Sequence, residues 1–366
     1  MGRWSAEQAL YRGLGRIEAL AAGDLGVQKV VARYCFGETR VDENRAREAA
    51  RRWEPWGALA AAYLFAAWRA GIPSGAKAEA GTGTEIERRG IAKSSDAWSG
   101  QPLLSDPDAV RVIHEDYLRA GAEIIIANTF STGRASLVRN GLGGRTVEIN
   151  TTAVRLAREA RDNVAADQPV VIAGSMSTFI PKLEPAVIPL YEDALTDYRE
   201  QSQVLAEAGV DVIVAEMIVR TLDARAAAEA TAATGLPFWL GLSCVEDDDR
   251  LFLGGHGKRG SESIVDAIEA VSSSNVSMVF IMHSQPEYTG SGLSELKPLI
   301  SVPMGVYAHT GRYVGTEWLT DEDLSPEEDA TQARGWVSQG AQVVGGCCGT
   351  TPEHIQALKD MLPSRI

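Results

Sequence analysis

From about residue 79 onward the chain keeps a regular beat, with short aliphatic or β-branched runs separated by longer segments of helical periodicity. The runs are Ile124–Phe130, Val170–Met176, Val212–Met217, Phe238–Cys244, Met278–His283, Met304–Thr310 and Gln342–Cys348. Between them, residues 106–120, 146–165, 193–208, 222–233, 262–270 and 326–339 carry apolar positions at helical spacing. Near-continuous apolar strands alternating with amphipathic helices specify a parallel sheet covered by helices. Seven such strands and a weaker first one around Lys77–Gly81 count out an α/β protein of the (β/α)8 TIM-barrel type over residues 76–366. An open doubly wound sheet is the alternative.

Residues 1–75 have a different texture. They are rich in Ala and Arg, hold four of the eight tryptophans, and show helical patches at 6–22 and 42–53 without a strand. This predicts an irregular, mainly helical N-terminal extension, read either as an accessory segment or as a poorly ordered one.

The barrel reading gives the polar residues a common address, because catalytic groups of such barrels gather at the C-terminal ends of the strands. Asn128 and Thr129 close the second strand, Glu216 nearly closes the fourth, and His283 closes the sixth. His309 lies near the end of the seventh, and Cys347 and Cys348 close the eighth. A lone strand-end Asn or Thr is usually a turn former. A recurrence on five strands asks for a shared site.

The last of these is the most specific. In Ala341–His354, AQVVGGCCGTTPEH, a short β-prone run opens into two glycines, then two thiols, then a helix start with Thr351 as N-cap and Pro352 at the first position. Adjacent cysteines make a strained disulfide. Two thiolates converging on one soft cation is the natural alternative, with Zn²⁺ the usual ion. The plainer reading is two small residues packing the end of a strand.

Charge and cysteine usage narrow the setting. A net charge of −14 argues against a nucleic-acid or anionic-membrane surface. Four cysteines, two of them adjacent, make no disulfide framework and fit a reducing cytoplasm. The most apolar stretch, residues 58–68, is about half of what spans a bilayer. Small-molecule substrates are the expected partners, and self-association is compatible with the composition.

The segment GGCCGTTPEH resembles the zinc-binding signature of the homocysteine S-methyltransferase family, whose members methylate the homocysteine thiol to give methionine. The resemblance begins near Lys77. It implies a zinc held by Cys347, Cys348 and a third ligand at the end of the sixth strand. The family pattern there resembles V-N-C-x-x-P, and this chain reads Ile281-Met282-His283-Ser284-Gln285-Pro286. Aligning on the proline puts His283 in the ligand position; a shift of one residue puts Ser284 there. Cys244 ends the fifth strand, where the family keeps no zinc ligand, and is read as core; Cys35 lies outside the resemblance.

Glu79-Ala80-Gly81-Thr82-Gly83-Thr84-Glu85 resembles the family's D-G-x-T-G-T-E loop, with Glu79 for Asp and Ala80 for Gly. The resemblance implies that Glu79 and Glu216 hold the substrate ammonium, and that the Gly81 loop with Asn128 and Thr129 meets its carboxylate. For Glu216 a salt bridge to Arg220 is the structural alternative. The implied function is zinc-dependent methyl transfer to homocysteine. Two others stay open: transfer to another thiol or selenol, and an inactive barrel used for binding. The methyl donor is not legible, although the lack of cobalamin or folate modules favours a small one such as S-methylmethionine.

Overall fold

The structure is a computed structural model and describes residues 28, 41–50, 76–79, 81–91, 100–177, 189–255, 258–314, 317–319 and 324–362. The chain divides into two units, residues 1–72 and 73–366. In the first, the helix Glu43–Ala50 falls within the expected 42–53 segment. Asp42 Oδ1 accepts from Arg45 N at 2.8 Å at its start, and Arg47 pairs with Glu43 one turn back. The expected helix at 6–22 and the apolar stretch 58–68 lie outside the described residues.

The second unit is a closed barrel of eight parallel strands. Its strands are β1 (Ala76–Ala78), β2 (Ile124–Ala127), β3 (Val171–Met176), β4 (Val212–Ile218) and β5 (Phe238–Leu242). An antiparallel insertion of β6 (Cys244–Asp247), β7 (Arg250–Gly255) and β8 (Lys258–Arg259) follows. The barrel resumes with β9 (Val276–Met282) and β10 (Met304–Ala308), passes a small hairpin of β11 (Arg312–Val314) and β12 (Glu317–Leu319), and ends with β13 (Val343–Gly346). The open-sheet alternative is excluded, because β1 pairs with both β2 and β13 and closes the circle.

The weak first strand is visible in its sequence, Ala-Lys-Ala, and in its pairing. It makes three residue pairs with β13 but one with β2. Gly345 lets the two backbones approach, since a Cβ there would lie 2.3 Å from Ala78 O. Every residue of β1, β2, β3, β4 and β5 is buried, as a strand covered on both faces requires. Inside the barrel Phe280 packs edge-on to Tyr307, with centroids 5.0 Å apart, and tilts against Trp239 at 5.6 Å. Truncating a buried ring of this kind typically costs about 3–5 kcal/mol.

The outer helices follow the strands in order. Pro107–Ala120 starts on Asp106, whose Oδ1 accepts from Ala109 N at 3.3 Å, and stops at Gly121, whose φ of 110° ends the helix in the left-handed region. Among the described residues no helix is long and apolar enough to cross a membrane.

Candidate metal centre

The eighth strand β13 ends in Gly346, and the chain then turns through Cys347 and Cys348 toward the helix Pro352–Met361. Thr350 holds the turn closed, donating from its Oγ1 to Cys347 O at 2.6 Å and from its N at 3.2 Å. Thr351 is the N-cap with extended backbone, and its N–H meets His354 Nδ1 at 3.2 Å. His354 Nε2 then reaches Leu324 O at 3.0 Å. Cys347 N also donates to Ala308 O at 2.9 Å, so the turn is tied down on both sides of the thiols.

His283 arrives from the sixth barrel strand. Its Nδ1 lies 3.5 Å from Cys347 Sγ and 3.7 Å from Cys348 Sγ, and the two sulfurs are 3.9 Å apart. The three form a group able to hold a metal ion, with ligand atoms within 4.8 Å of one another. Ser284, the alternative position, is engaged elsewhere. Its Oγ donates to Met282 O at 2.9 Å and accepts from Cys244 N at 2.9 Å. His283 takes φ 47°, a left-handed conformation unusual for a side-chain-bearing residue. Such strain is found where the surroundings over-determine the backbone. Here Ser243 Oγ donates to His283 O at 3.0 Å, His283 N donates to Tyr307 O at 3.1 Å, and the His309 ring packs against the imidazole at 4.9 Å. His309, given no role from sequence, is thus a wall of the imidazole's pocket.

The two thiols are electrostatically unequal. The hydrogen bond from Cys347 holds the Cys348 thiol well below its usual range, with His283 adding to the effect. The same bond pushes Cys347 well above it. A cation bound between the two sulfurs would favour the thiolate form of both. Cys347 is buried, while Cys348 is partly exposed. Cys244 is buried outside this group, its thiol pushed up to about 12 by burial, in line with a core role.

Glu216 lies on β4 and is buried; burial pushes its carboxyl up to about 7, against the stabilising hydrogen bond from Ser175 Oγ. A β-bulge aims it. The β4–β5 register shifts between Ala215 and Ile218, and Met217 takes φ 53° with its N–H directed at Met282 Sδ, 3.0 Å away. The salt bridge to Arg220 does not form, because Arg220 grips Asp223 at 2.6 and 2.9 Å.

At the end of β1, Glu79 is fully buried. His114 Nδ1 sits 2.8 and 2.9 Å from its two oxygens, and Thr82 Oγ1 donates at 2.7 Å. Gly81 is held where a Cβ would lie 2.6 Å from both Thr350 O and Tyr117 Oη. That closeness brings the first loop against the cysteine turn, where Thr84 Oγ1 also accepts from Gly349 N at 3.2 Å. Glu85 pairs with Arg88 and Arg89, and Arg89 ties this loop to Asp116 on the neighbouring helix.

Asn128 is buried beside Thr129 at the end of β2. The Thr129 hydroxyl donates to Ser175 O at 2.7 Å and accepts from Ser175 N at 2.9 Å, pinning β2 to β3. Neither His114 nor Ser175 stood out in the sequence, since a helix-borne His and a strand Ser carry no motif of their own.

Thiols and an imidazole converging at the strand ends of a parallel barrel form a candidate metal site, at the face where such barrels place their active sites. The family model for homocysteine S-methyltransferase matches residues 78–362, and the chain belongs to that family; it is an S-methyltransferase. Similar proteins include the selenocysteine methyltransferase of Astragalus bisulcatus, 27% identical over 82% of this chain and 95% of that protein. Homocysteine S-methyltransferase 3 of Zea mays is 28% identical over 76% of this chain and 88% of its own length. Among solved structures, the metallated form of the Escherichia coli homocysteine methyltransferase MmuM aligns with a TM-score of 0.64 and 25% identity, covering 78% of this chain and 96% of that one.

Proposed function

We propose that the chain transfers a methyl group to the thiol of homocysteine, giving methionine, at a zinc site made by His283, Cys347 and Cys348. The observation that carries the reading is the geometry of the three ligand atoms. A tetrahedral zinc with ordinary bond lengths separates two sulfurs by about 3.8 Å and a sulfur from a nitrogen by about 3.6 Å. The corresponding distances here are 3.9 Å, and 3.5 and 3.7 Å. Three protein ligands leave the fourth position for substrate, the arrangement of catalytic rather than structural zinc. With zinc bound there, the substrate thiol loses its proton at neutral pH and becomes nucleophilic.

The chain's own residues bind and orient. Glu216 and Glu79 hold the ammonium, Asn128 and the loop at Gly81 face the carboxylate, and Thr129 fixes the turn that presents Asn128. Ser175 holds the Glu216 carboxylate in place. The donor is a small methyl carrier such as S-methylmethionine, and the protein works in the cytoplasm. Residues 1–75 form an extension outside the barrel domain 76–366.

The test is metal analysis of the purified full chain, followed by methyl transfer to homocysteine with a panel of small donors. About one zinc per chain and a methionine product are expected; a zinc-loaded protein inactive on homocysteine with every donor would sink the reading. A shorter selenol acceptor is the second reading, favoured by the Astragalus relative.

A further inference from the structure

The helix Pro107–Ala120 touches both ends of the candidate site through two side chains one turn apart. His114, fully buried, places Nδ1 within 2.8 and 2.9 Å of the two Glu79 oxygens. Since a carboxylate only accepts, Nδ1 carries the proton. One N–H from His114 and one O–H from Thr82 leave about two of the four acceptor positions of Glu79 for an incoming ammonium. His114 Nε2 has no hydrogen-bond partner among the described residues, so the ring's polar contact is spent on Glu79 alone. Three residues on, buried Tyr117 donates from Oη to Thr350 O at 2.9 Å. Thr350 is in turn bonded to Cys347 O by its backbone and its side chain. Burial, with Glu79 and Glu85 nearby, pushes the Tyr117 phenol well above its usual range and keeps it a neutral donor.

We propose that this helix is a ruler for the acceptor: His114 fixes the carboxylate that receives the ammonium, Tyr117 fixes the turn that carries the thiol ligands, and their one-turn spacing selects the substrate's chain length. The inference rests on the function proposed above. Both side chains are positioning residues acting through Glu79 and Thr350. The element is suited to the task, being a 14-residue helix capped at both ends, and residues three apart on it hold a fixed separation of about 5–6 Å. Homocysteine and cysteine differ by one methylene, a difference of about 1.3 Å in reach. A site whose two ends are rigidly spaced discriminates between them; one whose ends drift does not. The direct bond between Gly349 N and Thr84 Oγ1 persists in either variant and limits the drift.

The experiment is calorimetric titration of the zinc-loaded full chain with L-homocysteine and with L-cysteine, with zinc content measured on each sample. The wild type should prefer homocysteine by roughly tenfold or more. Tyr117→Phe and His114→Leu should keep their zinc and shrink that preference by roughly fivefold each, the size of one lost hydrogen bond. His114→Asn, whose amide N–H takes the place of Nδ1–H, should restore it. Folded, zinc-loaded variants with an unchanged preference would overturn the ruler, as would equal weakening of both ligands without rescue by Asn. Should His114→Leu fail to fold, Tyr117→Phe, which removes one oxygen atom, decides alone. A wild-type protein that binds zinc but neither thiol overturns the proposed function itself.

Discussion

The Nδ1 atom of His283 lies 3.5 Å from Cys347 Sγ, although 64 residues separate them in the chain. The contact depends on the left-handed turn at His283, which swings the imidazole toward the eighth strand while the next residue, Ser284, turns back onto backbone.

Replacing this imidazole should therefore be felt at the metal first. His283→Ala removes one of the three proposed ligands and should lower zinc affinity by about two orders of magnitude or more. His283→Cys should keep the ion, because thiolate is an equally good ligand. A neutral ligand leaves zinc with two thiolates at formal charge zero, whereas a third thiolate makes the site negative. Homocysteine should thus release its thiol proton at lower pH in the wild type than in His283→Cys. Proton release on homocysteine binding, followed across pH beside zinc content, checks both. Full zinc retention by His283→Ala would remove His283 from the ligand set.

Glu216 predicts a pH dependence of a different origin. Burial raises its carboxyl to about 7, so in the empty site it is protonated at pH 6 and charged at pH 8. In the proposed site the substrate ammonium stays charged over that range and pairs with the carboxylate form. Homocysteine affinity should fall as pH drops through 7, whereas γ-mercaptobutyrate, which lacks the amine but keeps the thiol, should not share this loss. The ratio of the two affinities cancels the thiol's own titration. In Glu216→Gln the ratio should become flat with pH, and homocysteine binding should weaken by roughly 10- to 100-fold.

Much of this was legible in the chain, and the gaps have physical causes. Strands such as Ile124–Ala127 and Val212–Ile218 are buried on both faces and so announce themselves as unbroken aliphatic runs. β1 hides because Ala-Lys-Ala has no such run, and its close pairing with β13 is allowed by Gly345 on that strand. The β6–β7 hairpin was missed because Glu246 to Arg250 reads as a polar loop. Asp248 and Asp249 both take positive φ, the mirror-image turn that usually advertises itself with Asn-Gly. At the site, the motif-bearing cysteines were readable locally. His114 and Ser175 were not, because their meaning comes from carboxylates 35 and 41 residues away.

Gly81 makes a steric prediction. A methyl group there would meet Thr350 O and Tyr117 Oη at 2.6 Å, and the first of these is backbone held by Cys347. Gly81→Ala must push the two loops apart. A stability loss of about 1–3 kcal/mol is expected, with weaker homocysteine binding, and unfolding titrations beside calorimetry check it. A variant as stable and as tight as the wild type would show that the loops are not in contact in solution.

The last prediction concerns stability away from the metal. Asp329, in the first turn of the helix Pro326–Gln339, is 2% exposed, and its Oδ2 has no hydrogen-bond partner among the described residues. Burial raises its carboxyl from 3.8 to about 7. The folded state thus favours the protonated form, and the sign follows from linkage. The contribution is fully present below pH 4, is lost as pH rises through 7, and stays lost above it. Asp329→Asn keeps the shape and never ionises. The variant should match the wild type near pH 4 and exceed it by a few kcal/mol, on the order of 2–4, at pH 8. Urea unfolding at the two pH values, with both proteins stripped of metal, isolates the effect. An equal stability difference at pH 4 and pH 8 would mean that Asp329 ionises at its ordinary value, with water reaching a carboxylate the packing closes off.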